Sequence, residues 1–359
     1  MALWIEWNLL NPPRFSSAGS ADHRTEYKGA NLLNGDTNSK AGPLVVVTGM
    51  SKNFGSLVAL DEVSFALGAG EIVGLIGPNG AGKTTTMRIL TGMETVFRGR
   101  VTISGLAQPE RRENILGQIA YLPQDVAFAP WRTAAETLDL LGRLSGLDTS
   151  QLWTKIPEIL GAVGLGDKVG VRVGTFSRGM KQRLGMAQAM LAEPRLMILD
   201  EPFNHLDPAG RQHLKQLMID INKKGTTILF SSHILADVEE MMQRLVVLRC
   251  GQVVFDGTVD ELKSKNGDAN RVEIGYSGVF QPLDDLTLVE GLESLQQSAP
   301  NILRLCASAD ADLDVVLTRA LNLLIQRGLL VRYVKRIVPS LESIVGRMTE
   351  GLLDEEGVA

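Results

Sequence analysis

The residues whose types and spacing most clearly predict chemistry form a glycine-rich stretch directly after an apolar run, Ile72–Ile76. The stretch fits the pattern G-x-x-x-x-G-K-[ST] and consists of Gly77, Pro78, Asn79, Gly80, Ala81, Gly82, Lys83 and Thr84. The apolar run predicts a buried parallel strand, and the residues from Thr85 to Leu90 predict the start of a helix. A glycine loop in this setting turns its N–H groups toward phosphates. Its lysine reaches the β- and γ-phosphates, and its threonine hydroxyl holds Mg²⁺. The stretch therefore predicts a nucleotide site.

A second group of candidate residues follows another apolar run, Leu196–Leu199. Asp200 and Glu201 come directly after it. An aspartate at the end of a parallel strand is where P-loop enzymes place a Mg²⁺ ligand, and a neighbouring glutamate can polarise an attacking water. The alternative, two solvated acids at the end of a strand, is disfavoured because the preceding residues are uniformly apolar.

Three residues give weaker indications, and each has a structural alternative. Phe54 is predicted to lie on a loop shortly before the nucleotide strand, where it would stack on a base, or else to be a core phenylalanine at a strand end. Gln124 follows a predicted strand that Pro123 closes, and its amide can contact both a metal and a water. Ser177, with Gly179 behind it, predicts either an anion-binding helix start or an ordinary N-cap.

The elements around these residues alternate between strands and helices. Asp207 and Pro208 predict a helix start, and Gly225 predicts the end of that helix. The next predicted strand delivers Ser231, Ser232 and His233 to a loop. Alternation of this kind predicts a largely parallel sheet with ligands at the carboxyl ends of its strands.

The overall composition restricts the function classes. The 359 residues predict two domains, or one large domain with an appendage. The formal net charge of −5 argues against a protein whose main partner is nucleic acid. Cys250 and Cys306 form no C-x-x-C pair, so neither a disulfide framework nor a zinc site is expected. No uncharged run is long enough to cross a bilayer, and the first residues do not read as a signal peptide, so a cytoplasmic protein is expected.

Composition also predicts the domain boundaries. Residues 1–43 are rich in Asn, Ser, Gly and Ala, and they predict a disordered N-terminal extension. Residues 44–262 hold the candidate site. A polar, loop-like stretch then leads to residues 271–359, which predict a small C-terminal α/β domain with strands near 271–276, 302–306 and 329–334 and a helix between the last two that Gly328 ends.

Over residues 44–262 the order and spacing of these motifs resemble those of an ABC-transporter ATPase. The matching motifs are the A-loop aromatic, the P-loop, the Q-loop, the signature at 176–180, the Walker B strand with its glutamate, the D-loop at 204–207 and the H-loop: Phe54, Lys83, Gln124, Ser177, Asp200, Glu201, Asp207 and His233. The resemblance implies an α/β P-loop NTPase fold, with a mixed RecA-like sheet core and a helical signature subdomain.

The resemblance also implies a role for each residue. Phe54 would stack on adenine, and the P-loop amides with Lys83, Thr84 and Thr85 would hold the phosphates of ATP. Thr84, Gln124 and Asp200 would bind the Mg²⁺ ion or order its ligands. Glu201 would be the general base, His233 would contact the γ-phosphate, and Gln124 would sense the transport partner. The implied catalytic residues are thus Glu201, His233 and Gln124.

Ser177 and Gly179 would contact the γ-phosphate of a nucleotide bound to the other cassette. The resemblance therefore implies a dimer with a second ABC cassette, either a copy of this chain or a related subunit. The signature reads Phe-Ser-Arg-Gly-Met, whereas the commonest family form has Leu first, Gly third and Gln fifth. Because the serine and the second glycine are kept, we expect an active site.

Residues 338–345 resemble a Pro-Ser-Leu-Glu segment near the C-terminus of drug-resistance-type exporter ATPases, with a generic appended domain as the alternative. We therefore expect the ATPase subunit of an exporter, peripheral on the cytoplasmic face of the membrane, with a separate transmembrane permease subunit and no nucleic-acid partner. One alternative is a soluble ABC ATPase that acts in translation or DNA maintenance. A non-hydrolysing regulatory cassette is disfavoured because Lys83, Asp200, Glu201 and His233 are all present.

Overall fold

The structure is a computed structural model that describes residues 42–232, 235, 238–265, 271–279, 289–308, 311–337 and 340–350. Its described residues form two compact units. The first contains residues 42–74 and 82–232, and the second contains residues 75–81 and the described residues from 235 onward. The predicted boundary between a cassette at 44–262 and a C-terminal domain at 271–359 falls inside the second unit and stays a prediction.

An antiparallel sheet in the first unit has the strand order β2-β1-β4-β5. Its strands are β1 (Val45–Phe54), β2 (Leu57–Leu67), β4 (Arg98–Ile103) and β5 (Leu106–Gln108). β1 and β2 form a hairpin in which Phe54 pairs with Leu57, and Gly55 supplies the positive φ of the turn. The predicted loop position of Phe54 is therefore wrong, because β1 continues through the polar residues 51–53 to Phe54.

The candidate site is built on neighbouring strands of one sheet, most of them in the first unit. β3 (Ile72–Ile76), β8 (Thr227–Ser231), β7 (Leu196–Leu199) and β6 (Ile119–Leu122) are neighbours in that order. The register pairs Leu199 with Phe230, so the residues that follow β7 lie beside the end of β8. The predicted parallel arrangement is confirmed for β6, β7 and β8, and β7 is buried along its whole length.

The described residues of the first unit also form six α-helices, and two of these begin at the predicted caps. They are α1 (Lys83–Leu90), α2 (Arg112–Leu116), α3 (Ala134–Leu144), α4 (Thr149–Ala162), α5 (Arg178–Met190) and α6 (Pro208–Lys223). The Ser177 side chain caps α5, and Asp207 caps α6 with proline at the first helical position. α3, α4 and α5 pack on one another and make the helical part that carries the signature.

In the second unit, the antiparallel hairpin of β9 (Arg244–Arg249) and β10 (Gln252–Thr258) leads into α7 (Val259–Lys265). β9 lies between β10 and β3, whose Leu75 and Ile76 belong to this unit. The last described helix, α9 (Leu341–Glu350), packs on α7 and β9.

The C-terminal part of the second unit contains a separate four-stranded antiparallel sheet with the order β12-β13-β11-β14. Its strands and its helix α8 are β11 (Arg271–Ser277), β12 (Leu292–Ala299), β13 (Ile302–Ala307), β14 (Leu330–Arg336) and α8 (Leu313–Gln326). Three strands and the helix match the prediction. β12 was missed because its residues 296–298 are polar and exposed, which hides the alternation.

Within the described parts of the chain, no helix is both long enough and apolar enough to cross a membrane.

Candidate functional site

A hydrogen-bond network links the carboxyl ends of β7 and β8 with the start of α1. Asp200 is buried, and its two oxygens have different partners. The Oδ2 atom accepts a hydrogen bond from the Thr84 hydroxyl at 2.8 Å, and the Oδ1 atom accepts one from the Ser231 hydroxyl at 2.7 Å. The Ser231 hydroxyl also accepts the backbone N–H of Glu201 at 2.8 Å. One serine thus fixes the Asp200 carboxylate and the backbone position of Glu201.

Lys83 is the buried cation of this region. It is the first residue of α1, and Gly82 before it has a φ of 106°, which glycine adopts without strain. Burial lowers the pKa of Lys83, and the charges of Glu201 and Asp200 act against that shift. A partly desolvated ammonium at the N-terminus of a helix is suited to attract the negative charge of a phosphate.

Glu201 has a left-handed backbone conformation, with a φ of 51°. For a residue with a side chain, this conformation costs on the order of 1 kcal/mol, and such residues concentrate at functional sites. Gln182, buried on α5, approaches this turn, and its amide nitrogen lies 3.4 Å from the Glu201 carbonyl oxygen and 3.3 Å from that of Pro202. The sequence arguments assigned no role to Ser231 or Gln182.

The sequence contains only weak indications of the roles of Ser231 and Gln182. Ser231 ends a strand predicted to lie beside the Asp200 strand, which is the position where a polar side chain would meet that carboxylate. Gln182 is a polar residue among apolar ones on the signature helix, and a buried amide needs partners.

The first half of the P-loop belongs to the second unit, where it lies against the β9–β10 hairpin. A Cβ atom on Gly77 would lie 2.3 Å from the carbonyl oxygen of Leu248, so only glycine fits. The Gly251 N–H donates to the Ala81 carbonyl at 3.1 Å, and the Ala81 N–H donates to the Pro78 carbonyl at 3.2 Å. Pro78, Asn79 and Gly80 are exposed.

The signature residues begin α5 as predicted. The Ser177 hydroxyl accepts the Met180 N–H at 3.2 Å, and its side chain is exposed. A larger residue than glycine would clash at position 179, because a Cβ atom there would lie 2.7 Å from the His205 carbonyl oxygen. The sequence did not reveal this steric constraint. His205, in the D-loop, has a φ of 63°. The signature helix and the D-loop can therefore approach this closely only because residue 179 is a glycine.

An open cavity of about 420 Å³ lies beside this contact. Gln124 lines it together with Arg178, Lys181, Asn204 and His205. The structure thus groups the predicted Q-loop residue with the signature helix and the D-loop, and Gln182 of that helix also reaches the Glu201 turn described above.

Two predicted site residues remain. Phe54 is the last residue of β1, and the residue is 47% exposed. The Nζ atom of Lys52 lies over that ring, 4.7 Å from its centroid. His233 lies outside the described residues, as do residues 1–41.

The oxygen atoms of this cluster fit a hard cation. Thr84 offers a hydroxyl and Asp200 a carboxylate, already 2.8 Å apart, and Mg²⁺ is commonly bound by one or two carboxylates together with substrate phosphates. No group of three His, Cys, Asp or Glu residues within the described ranges could hold a metal by itself. The donor set therefore fits Mg²⁺ bound together with a nucleotide and does not form a closed protein metal site.

A strand, a glycine loop and a helix, together with a buried Asp-Glu pair at the end of a parallel strand, define a P-loop nucleotide-binding ATPase. Comparisons with known proteins give the family. The family profile described as ABC transporter matches residues 60–204. The chain is 40% identical over 222 residues to an uncharacterized ABC transporter ATP-binding protein, YxlF, of Bacillus subtilis, a match that covers 62% of this chain and 73% of that protein.

Two further comparisons agree. The Nod factor export ATP-binding protein I of Sinorhizobium fredii is 31% identical over 312 residues, which are 87% of this chain and 90% of that protein. A solved structure of the ATP-binding subunit of an ABC transporter superposes with a TM-score of 0.58 at 34% identity, covering 61% of this chain and 92% of that one. The chain belongs to the ATP-binding proteins of ABC transporters, and it is an ATP-binding and ATP-hydrolysing subunit. The predicted family, fold class and enzyme activity are confirmed.

Proposed function

We propose that this chain is the motor subunit of an exporter and that it works as one of two cassettes beneath a separate membrane-spanning permease. The observation that carries the ATPase part is the network at the ends of β7 and β8, in which Ser231 joins the Asp200 carboxylate to the Glu201 backbone. The exporter part depends on the relatives.

Glu201 acts as the general base for the attacking water. The Ser231 hydroxyl accepts the backbone N–H of Glu201 and so holds the turn that carries the carboxylate. Lys83 and the P-loop amides of residues 77–84, with Thr85, bind the phosphates, since a partly desolvated lysine and a helix N-terminus both favour negative charge. Thr84, Asp200 and Gln124 would hold Mg²⁺, which neutralises phosphate charge when it is bound. His233 contacts the γ-phosphate.

The dimer proposal depends on Ser177 and Gly179. Ser177 is the exposed N-cap of α5, and Gly179 lies in the first turn of that helix. A second cassette, either a copy of this chain or a related subunit, would bring its bound nucleotide to that helix start, where the serine hydroxyl and free N–H groups favour a phosphate. ATP then stabilises the closed pair, and hydrolysis allows it to open.

The exporter proposal is supported by the length of the Sinorhizobium match. A match of 312 residues within 359 includes part of the C-terminal domain wherever it starts, and the matched protein is named for Nod factor export. The relatives reported above are transporter proteins, which favours transport over a role in translation or DNA maintenance. We place the chain at the cytoplasmic face of the membrane, together with its permease. Within the nucleotide site, we propose that adenine stacks on Phe54.

A mixing experiment tests the shared sites. Lys83→Ala removes the phosphate-binding lysine from the P-loop of the chain that carries it. Ser177→Arg blocks the signature helix that this chain would offer to its partner. Each variant alone should show only background ATP hydrolysis. A mixture should recover activity, because a mixed dimer has one intact site made from the P-loop of one chain and the signature of the other.

The control is a chain that carries both substitutions, mixed with either single variant, which should recover nothing. Activity of the Ser177→Arg chain close to that of the unmodified protein would contradict the proposal.

A further inference from the structure

A buried lysine lies beneath the ring of Phe54. Lys52 is only 8% exposed, although it belongs to the β1 strand end that leads to an exposed hairpin. Its Nζ atom donates to the Val96 carbonyl at 2.7 Å, lies 3.0 Å from a carboxylate oxygen of Glu94, and lies 4.7 Å from the centroid of the Phe54 ring. Residues two apart on a strand point to the same side, which is why the two side chains meet.

The ring of Phe54 therefore has two different environments. The ammonium occupies one face at a distance typical of a cation–π contact. Because 47% of the residue is still exposed, the ammonium does not cover the whole side chain, and part of its surface is open to solvent. A core phenylalanine would be covered by apolar side chains on both faces, and this one is not.

We propose that Lys52 is a positioning residue for the nucleotide base, because its ammonium holds one face of the Phe54 ring and leaves the opposite face free to stack on adenine. The inference rests on the proposed function, in which Phe54 contacts the base. It adds a residue that never touches the nucleotide.

The ammonium of Lys52 is held by Glu94, which follows α1, the helix that begins in the P-loop. Glu94 belongs to the loop that follows α1, and the N–H groups of Met93 and Glu94 both donate to the Arg88 carbonyl in the last turn of that helix, at 2.9 and 3.0 Å. Burial alone would raise the pKa of Glu94, but the hydrogen bond from Lys52 and the neighbouring charges lower it. The path from Phe54 through Lys52 and Glu94 thus links the base-stacking ring to the helix that begins at Lys83.

The physical effect of this arrangement is preorganisation. An exposed phenylalanine at a hairpin end would sample several rotamers, and binding would have to order it. A fixed cation at one face removes that freedom. It also polarises the ring, which favours stacking of an electron-rich base on the other face.

The test compares two probes, ATP and inorganic tripolyphosphate, both measured by titration calorimetry with a chelator present so that no hydrolysis occurs. Tripolyphosphate has the phosphates and lacks the base. Lys52→Met keeps most of the side-chain volume and removes the charge. We expect it to weaken ATP binding by about three- to tenfold and to leave tripolyphosphate binding unchanged, while Lys52→Arg keeps most of the affinity.

A double-substitution cycle sharpens the result. Phe54→Ala should weaken ATP binding by about five- to a hundredfold without changing tripolyphosphate binding. In the Phe54→Ala background, Lys52→Met should have no further effect, because Lys52 acts only through the ring. If Lys52→Met does not fold, Glu94→Gln replaces it, and a smaller loss of affinity restricted to ATP is expected.

Equal weakening of both probes by Lys52→Met, or a loss that persists without Phe54, would overturn the inference. Failure of the proposed function gives a different pattern. In that case Lys83→Ala would leave the binding of both probes intact, whatever Lys52 does.

Discussion

Two sheet regions of this chain differ in what their strands bury. At the ends of β7 and β8, the buried side chains include Asp200, Glu201 and Ser231. In the C-terminal sheet β12-β13-β11-β14 and its helix α8, the core among the described residues is apolar apart from a tyrosine, with members such as Ile274, Leu305 and Leu324.

The difference separates function from stability. Burying carboxylates and a lysine costs free energy unless hydrogen bonds and opposite charges compensate, so a protein keeps such groups mainly where chemistry needs them. The first region has that compensation, in the Ser231 and Thr84 hydrogen bonds to Asp200. The second region buries no carboxylate or lysine among the residues of its described core, so its core contributes mainly packing. Substitutions should therefore affect turnover in the first region and stability in the second.

The largest effect is expected for Glu201→Gln. Loss of a general base should lower ATP turnover by about 10²- to 10⁴-fold, while ATP affinity stays close to that of the unmodified chain. The control is Glu193→Gln, because Glu193 is exposed and has a similar φ of 47°. Steady-state hydrolysis assays should separate the two. Equal loss in both variants would remove the assignment of Glu201.

In the C-terminal core, Leu324→Ala should lower the free energy of unfolding by about 2–5 kcal/mol, because it leaves a cavity. Leu324 is 1% exposed, and its neighbour Ile325 is 56% exposed, so Ile325→Ala is the matched control with a change near zero. Chemical denaturation measures both. ATP affinity of the folded Leu324→Ala protein should not change, and a large affinity loss would contradict the separation.

Ser231→Ala should affect both properties. It removes a hydroxyl that joins Asp200 to the Glu201 backbone, so we expect a stability loss of about 1–3 kcal/mol together with reduced turnover. Ser145→Ala, at an exposed helix end, is the control and should be nearly silent. Unfolding and hydrolysis are measured on the same samples. Loss of stability with full turnover would mean that Ser231 is only structural.

The smallest expected effect concerns the ion pair of Lys52 with Glu94. Because the pKa of Glu94 is lowered in the folded state, its contribution is present at neutral pH and is lost as the pH falls through that lowered pKa. Glu94→Gln should thus cost roughly 1 kcal/mol or less at pH 7 and nothing in acid. Glu290→Gln, which removes an exposed ion pair with Arg319, is the control and should cost little at neutral pH. A cost for Glu94→Gln that is independent of pH would contradict this.

The parts of the molecule that the sequence predicted are those with a local pattern. Asp200 follows a wholly apolar strand, and Ser177 and Asp207 are helix caps, so short-range rules were sufficient for each. The parts that were missed depend on long-range contacts. The length of β1 is set by pairing with β2, the bond of Ser231 to Asp200 spans two strands, and the need for Gly179 comes from the His205 carbonyl. The polar face of β12 hid a strand that only its partner β13 defines.

The most direct test of the account is the mass of Glu201→Gln in sedimentation equilibrium, with ATP and Mg²⁺ and again without nucleotide. If Glu201 is the base and each cassette completes the site of another, the variant should be monomeric alone and a stable dimer with ATP, because the nucleotide is held between two chains and not hydrolysed. A monomer at saturating ATP would contradict the account.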